Sequence, residues 1–222
     1  MVDQLCDALL ATTPAAAIDL VRGIKAEGIS RDALCLDYIA EAARRMGERW
    51  AEDSASFLDV TLASGRLVTM VRDLAVTFND PEPAPLPGHR VLISTVPGET
   101  HNLGAIIAAE CFRRNRWQVD LLDGANPSEI KAALNACTYP VLGLSAGSRR
   151  MLPVLTETVR LAHMISPKTI VCVGGPILEI EPDVISLVDA DHSAEDPAFL
   201  SVLLQRQLSD MNFGTGSSYV DA

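Results

Sequence analysis

Three short stretches carry residues whose types and spacing could do chemistry. The first is Pro97–Gly104, which puts a carboxylate, Glu99, two residues before an imidazole, His101, and a glycine, Gly104, three residues later. Thr100 and Asn102 lie in the same stretch. The second is Ser145–Arg150, with a small hydroxyl at Ser145 and a glycine at Gly147. The third is Gly174-Gly175-Pro176. Glycines at such places let a ligand come close to the main chain. Each stretch also has a plain reading. His101 could be a polar loop residue, and Ser145 could cap the helix after it. Glu99 could favour a helix dipole, and Gly-Gly-Pro could be a turn. Their co-occurrence on one sheet edge, in an order that suits a single elongated ligand, favours a site.

The elements that must position these residues can be read from pattern. Arg90–Val96, Trp117–Leu122, Pro140–Ser145, Thr169–Gly175 and Val184–Asp189 are short, β-branched and nearly all apolar. Helical patterns separate most of them, at Leu103–Asn115, Pro127–Ala136, Leu152–Ile165 and Pro197–Leu208. Short buried strands alternating with helices predict an α/β fold, a Rossmann-like, doubly wound, five-stranded parallel sheet. In such sheets ligands bind beyond the carboxyl ends of the strands, where the three stretches fall.

Residues 1–79 read instead as a bundle of about four helices. A short helix is expected near Asp3–Ala11. Thr13-Pro14 reads as a cap and first-turn proline, opening a helix that ends at Gly28. Ser30 caps a helix carrying Leu34, Tyr38, Ile39, Ala42 and Met46. A third long helix after Ser56 sets Leu58, Leu62, Leu67, Met70, Val71 and Leu74 on one side. Residues 80–89 form a linker, because Asp80–Arg90 holds four prolines and a glycine. The sheet domain is expected over 90–210 and a flexible tail over 211–222.

Several classes can be set aside. The 222 residues are 48% hydrophobic and 21% charged, ordinary for a globular chain with a core. The net charge of −11 opposes direct, specific nucleic-acid binding. The tight basic clusters are Arg113-Arg114-Arg116 and Arg149-Arg150. Five scattered cysteines make no Cys-x-x-Cys pair and point to reduced thiols in a cytoplasmic protein. Neither a signal pattern nor an apolar run near the roughly 18 residues of a membrane span is expected. "GETHNLG" replaces the dinucleotide fingerprint, and no Gly-Lys-Ser/Thr loop occurs. "GLSAG" fits a hydrolase elbow, with His192 as the available histidine. His89, His163 and His192 otherwise read as solvated or structural, with His192 placed after the last strand, where it could touch a bound tail.

The three stretches together resemble the cobalamin-binding domain family, whose signature is Asp-x-His-x-x-Gly, then Ser-x-Leu, then Gly-Gly. Here the signature runs Glu99-Thr100-His101-Asn102-Leu103-Gly104, then Ser145-Ala146-Gly147, then Gly174-Gly175. The resemblance implies that His101 is the lower axial ligand to cobalt, with Glu99 accepting its other ring N–H. Imidazole suits such a metal, and a carboxylate fixes the tautomer. It also implies that the displaced nucleotide tail threads past Gly104, between Ser145 and the glycines. Met46–Leu67 resembles the bundle that caps the upper face, with Trp50 over the corrin.

Three departures stand out. Glu99 replaces the family's Asp, Gly147 replaces its Leu, and Val60-Thr61 stand where relatives carry Glu-His. The last departure argues against a pocket specialised for an adenosyl group and favours hydroxo- or aquo-type cobalamin. "GERWAEDSASFLDVT" is most similar to the AerR/PpaA regulators of photosynthesis genes and to the related haem- or corrinoid-binding sensor domain of AppA. That resemblance implies a non-enzymatic, light- or ligand-responsive antirepressor. Its partner would be a DNA-binding repressor of the CrtJ/PpsR type. A corrinoid methyl carrier and a haem sensor remain alternative readings.

Overall fold

The computed structural model describes residues 1–214. Its packing divides into two units, Met1–Glu82 and the chain from Pro83 on. The expected tail falls outside the described residues from position 215.

The first unit consists of helical rods. They are α1 (Val2–Leu9), α2 (Ala15–Ala26), a continuous rod from α3 (Arg31–Ala33) through a π-helical stretch (Leu34–Ile39) into α4 (Ala40–Ala51), and α5 (Phe57–Phe78). Ser30 accepts the Ala33 N–H at 3.1 Å and starts the third rod. Ser56 and Asp59 form a reciprocal capping box that starts α5. Leu5, Leu9, Val21, Ile24, Leu34, Ile39, Met46, Leu67 and Leu74 fill the core. Arg66 of α5 donates to the Leu9 and Ala11 carbonyls at 2.5 and 2.7 Å, closing the end of α1.

Two expectations change in this unit. Pro14 stands at the cap of α2, where no side chain accepts a hydrogen bond, so Thr13 is not the cap. The buried stripe of α5 begins at Ala63. Leu58 and Leu62 are 64% and 47% exposed, on the same first turns as the exposed Phe57, while Trp50 on α4 is 54% exposed. The spacing of Leu58 and Leu62 fits the core stripe, but no rod of the bundle covers the first turns of α5.

The second unit is a five-stranded, all-parallel sheet in the order β2-β1-β3-β4-β5. The strands are β1 (Arg90–Thr95), β2 (Gln118–Leu122), β3 (Val141–Ser145), β4 (Ile170–Gly174) and β5 (His192–Ser193). Alternate strand residues feed opposite faces. Leu92, Leu142, Leu144, Val171 and Val173 pack with α7 (Pro127–Ala136) and α8 (Leu152–Ile165) on one face. Val91, Ile93, Val141, Ile170 and Cys172 pack with α6 (Leu103–Arg114) and the start of α11 (Pro197–Gly214) on the other.

The fifth strand is not where pattern placed it. Of the expected strand Val184–Asp189, Val184–Val188 is a helix, α10, which follows the short α9 (Ile177–Ile180). Val184 and Val188, four apart, are buried while Leu187 is 58% exposed. That is a helical period, which a nearly all-apolar run of five residues is too short to reveal. Asp189 then turns left-handed at φ 59°, and the chain enters β5. His192 therefore lies within the last strand, paired with Cys172.

Away from the strand carboxyl ends, Tyr139 donates to Asp120 Oδ2 at 2.7 Å, and Arg90 Nε donates to the same oxygen at 2.8 Å. Burial, with the Asp120 hydrogen bond adding to it, pushes the Tyr139 hydroxyl up to about 12 from 10.0. Folded chains keep a proton that unfolded chains release above pH 10. This contribution is complete below pH 10 and is lost between pH 10 and about 12. Tyr139→Phe should cost about 1–2 kcal/mol at neutral pH and flatten that alkaline decline, as urea unfolding at stepped pH will read.

Candidate functional site

Strand order reverses between β1 and β3, so the loops leaving their carboxyl ends diverge and open a crevice. Thr95, Ser145 and Gly174 stand level across the three central strands. The segments after these residues carry all three stretches singled out in the sequence.

After β1 the chain turns sharply at Gly98, φ 86°, and the Glu99 N–H donates to the Val96 carbonyl at 3.0 Å. The turn drives Glu99 inward until its side chain is only 4% exposed. Its Oε1 accepts the Thr100 N–H at 2.8 Å, the His101 N–H at 2.9 Å and the His101 Nδ1 hydrogen at 2.7 Å. Its Oε2 accepts the Gly147 N–H at 2.7 Å, across the crevice from the β3 loop. Burial by itself would raise this carboxyl. The main-chain N–H groups of His101 and Gly147 and the His101 ring outweigh it and hold the group below its ordinary value. The carboxylate fixes one imidazole nitrogen, and Nε2 is the other. The His101 side chain is 82% exposed. A ring with one nitrogen held by a buried carboxylate and the rest open is built to offer a lone pair outward.

Ser145 lies beside this clamp, 8% exposed. A Cβ added at Gly104 would lie 3.7 Å from the Ser145 Oγ, and one at Gly175 would lie 3.0 Å from it. Gly104, Ser145 and Gly175 thus surround one small region. Gly175 also has φ 93°, and its Cβ would press the Ala146 carbonyl at 2.6 Å, so the fold requires that glycine. Gly174 faces elsewhere, since its Cβ would meet Ala194 Cβ at 3.1 Å. Asn102 gives its amide to Asp123 at 2.7 Å and joins the β1 loop to the β2 loop. Thr100 is exposed and contributes its N–H. Trp50 belongs to the other unit. Thr61, one of the two residues standing where relatives carry Glu-His, bonds its hydroxyl to the Phe57 carbonyl at 2.7 Å.

Composition gave no signal for the Gly147 N–H as a carboxylate partner, because a main-chain donor is the same for any residue but proline. The hydrolase reading loses its geometry. Ser145 is a paired strand residue without the left-handed backbone of the strained residues, unlike an elbow nucleophile. His192 Nε2 lies 3.2 Å from Gln207 Oε1.

Residues 89–198 match the B12 binding domain family. This chain carries a B12 binding domain. The B12 binding domain spans the sheet and every residue of the clamp. The chain is 25% identical over 173 residues to an uncharacterized 20.5 kDa protein in the bchF-crtJ intergenic region of Rhodobacter capsulatus, across 78% of this chain and 90% of that protein. The Methanosarcina barkeri monomethylamine corrinoid protein shares the fold, with a TM-score of 0.73 at 15% identity over 90% of this chain and 95% of that one. The methanol:cobalamin methyltransferase complex MtaBC from Methanosarcina barkeri aligns with a TM-score of 0.50 at 15% identity, over 94% of this chain and 79% of that chain.

The donor set suits a metal carried in a macrocycle. Among the described residues no three His, Cys, Asp or Glu side chains converge, whereas a bare ion such as zinc asks for three or four protein ligands. A ring-held cobalt asks the protein for one axial base, and the clamp presents one. Among the described residues no helix is long and apolar enough to cross a membrane.

Proposed function

We propose that this protein is a cobalamin-binding sensor that regulates transcription through a protein partner, without catalysing a reaction. The observation that carries the reading is the Glu99 carboxylate fixing His101 Nδ1 at 2.7 Å while the ring stays open to solvent. His101 Nε2 would hold the cobalt. Glu99 keeps the proton on Nδ1, so Nε2 stays a base. Gly104, Ser145 and Gly175 border the passage of the nucleotide tail, with Gly174 behind them and Thr100, Asn102 and Gly147 along its rim. When bound, the cofactor supplies a cobalt centre whose upper ligand exchanges and, in alkyl forms, is released by light.

The regulatory part rests on the relative in the bchF-crtJ region and on charge. A chain of net charge −11 is repelled by DNA yet attracted to the basic face of a DNA-binding protein. The partner is a repressor of the CrtJ/PpsR type, in the cytoplasm. A cofactor state shifts the repressor only as far as the two states differ in affinity for it.

The test mixes purified protein with hydroxocobalamin, with adenosylcobalamin in dark and light, and separately with haemin, then desalts and records visible spectra. Retained hydroxocobalamin, together with corrinoid-dependent release of a CrtJ-type repressor from its operator, is the expected result. Retention of haem alone would replace corrinoid by haem. Retention with methyl transfer to an acceptor, and no effect on the repressor, would make the protein a methyl carrier.

A further inference from the structure

Two departures from the family's signature, Glu99 and Gly147, touch one another. Gly147 sends its N–H to Glu99 Oε2 at 2.7 Å. A Cβ at position 147 would lie 2.9 Å from that oxygen, 3.3 Å from the Glu99 carboxyl carbon and 3.4 Å from His101 Nδ1. These are the three nearest heavy atoms outside Gly147 and its chain neighbours. The backbone at 147 is not in the left-handed region, since the positive-φ glycines are Gly28, Gly88, Gly98, Gly124 and Gly175. Conformation therefore does not ask for glycine here; space does, and the space is taken by the longer carboxylate.

We propose that Gly147 is a positioning residue for His101, matched to a glutamate at 99, so that the pair must change together. The extra methylene of Glu99 carries its carboxylate across the crevice to the β3 loop. Gly147 both makes room for it there and donates to it. Any side chain at 147 displaces a carboxylate whose two oxygens already accept four N–H hydrogens. Moving it releases the Nδ1 hydrogen bond and lets the imidazole tautomer and ring direction drift. An aspartate at 99 would withdraw the carboxylate from the 147 Cβ and relieve the conflict.

The consequence for cobalt rests on the function proposed above, but the consequence for the imidazole does not. The test uses the full cofactor-free chain labelled with 15N. Imidazole nitrogen shifts are recorded for wild type, Gly147→Ala, Glu99→Asp and the double variant, with His101→Ala to assign the signal among the four histidines. Wild type should show His101 protonated at Nδ1. Gly147→Ala should show mixed tautomers and an altered shift, and the double variant should return toward the wild-type pattern. In parallel, Gly147→Ala should raise the hydroxocobalamin dissociation constant about 10- to 100-fold, and Glu99→Asp should recover most of it.

If Gly147→Ala does not fold, recovery of folding in the double variant supports the pairing and its failure overturns it. An unchanged His101 signal in Gly147→Ala, or strictly additive effects in the double variant, also overturns it. Because the imidazole readout needs no corrinoid, loss of cobalamin binding by the wild type would sink the function proposed above and leave this result standing.

Discussion

His101→Ala is expected to weaken hydroxocobalamin retention by more than about 100-fold, because loss of a partner that merely orients a metal ligand already costs about 10- to 100-fold. Any corrinoid that remains should lack the spectrum of cobalt bound by imidazole. The fold should hardly notice. The side chain is 82% exposed, and among the described residues its one polar side-chain contact is Glu99. Glu99 keeps three main-chain donors, Thr100, His101 and Gly147, after the ring is gone. Stability should therefore shift by no more than about 0.5 kcal/mol. Equilibrium dialysis alongside urea unfolding separates the two effects. A dissociation constant within a few-fold of wild type would remove His101 from cobalt.

Gly175→Ala should destabilise the chain by about 3 kcal/mol, about 1–3 from forcing a side chain into φ 93°, the rest from the clash. The Ala146 carbonyl, 2.6 Å from the new Cβ, accepts the Ile177 N–H at 3.1 Å. Relief would pull that hydrogen bond apart. Gly104→Ala is the contrast. Gly104 lies in the first turn of α6, is exposed, and would place its Cβ at an ordinary 3.7 Å from Ser145 Oγ. In a helix that change should stabilise by up to about 1 kcal/mol. If the tail passes there, it should still weaken cobalamin retention. A loss of ligand from a protein made more stable cannot be a folding defect. Unchanged retention would put the tail elsewhere.

Much of this arrangement was legible in the sequence, for definite reasons. Strands buried on both faces are nearly continuous in apolar residues, so β1, β3 and β4 stood out. Turn residues followed them, and the strand-end rule put Glu99, His101, Ser145 and Gly175 on one edge. Val184–Val188 misled because four apolar residues around one serine are too few to show a period. Leu58 and Leu62 misled because spacing records which residues share a face, not whether anything covers it. Gly174 and Gly175 read alike in sequence, yet one is tight against Ala194 and the other against Ala146 and Ser145. The Gly147 donor was invisible because every residue except proline has one.

Three of the four hydrogens that Glu99 receives come from peptide groups, not side chains. The identity of Thr100 is thus free to drift under mutation, so long as it is not proline, with no loss of the clamp. Glu99 itself has no such freedom. A lineage can rewrite much of the rim while keeping one carboxylate, one imidazole and a turn. Kinship at such a site survives as a geometry long after the spelling around it has changed.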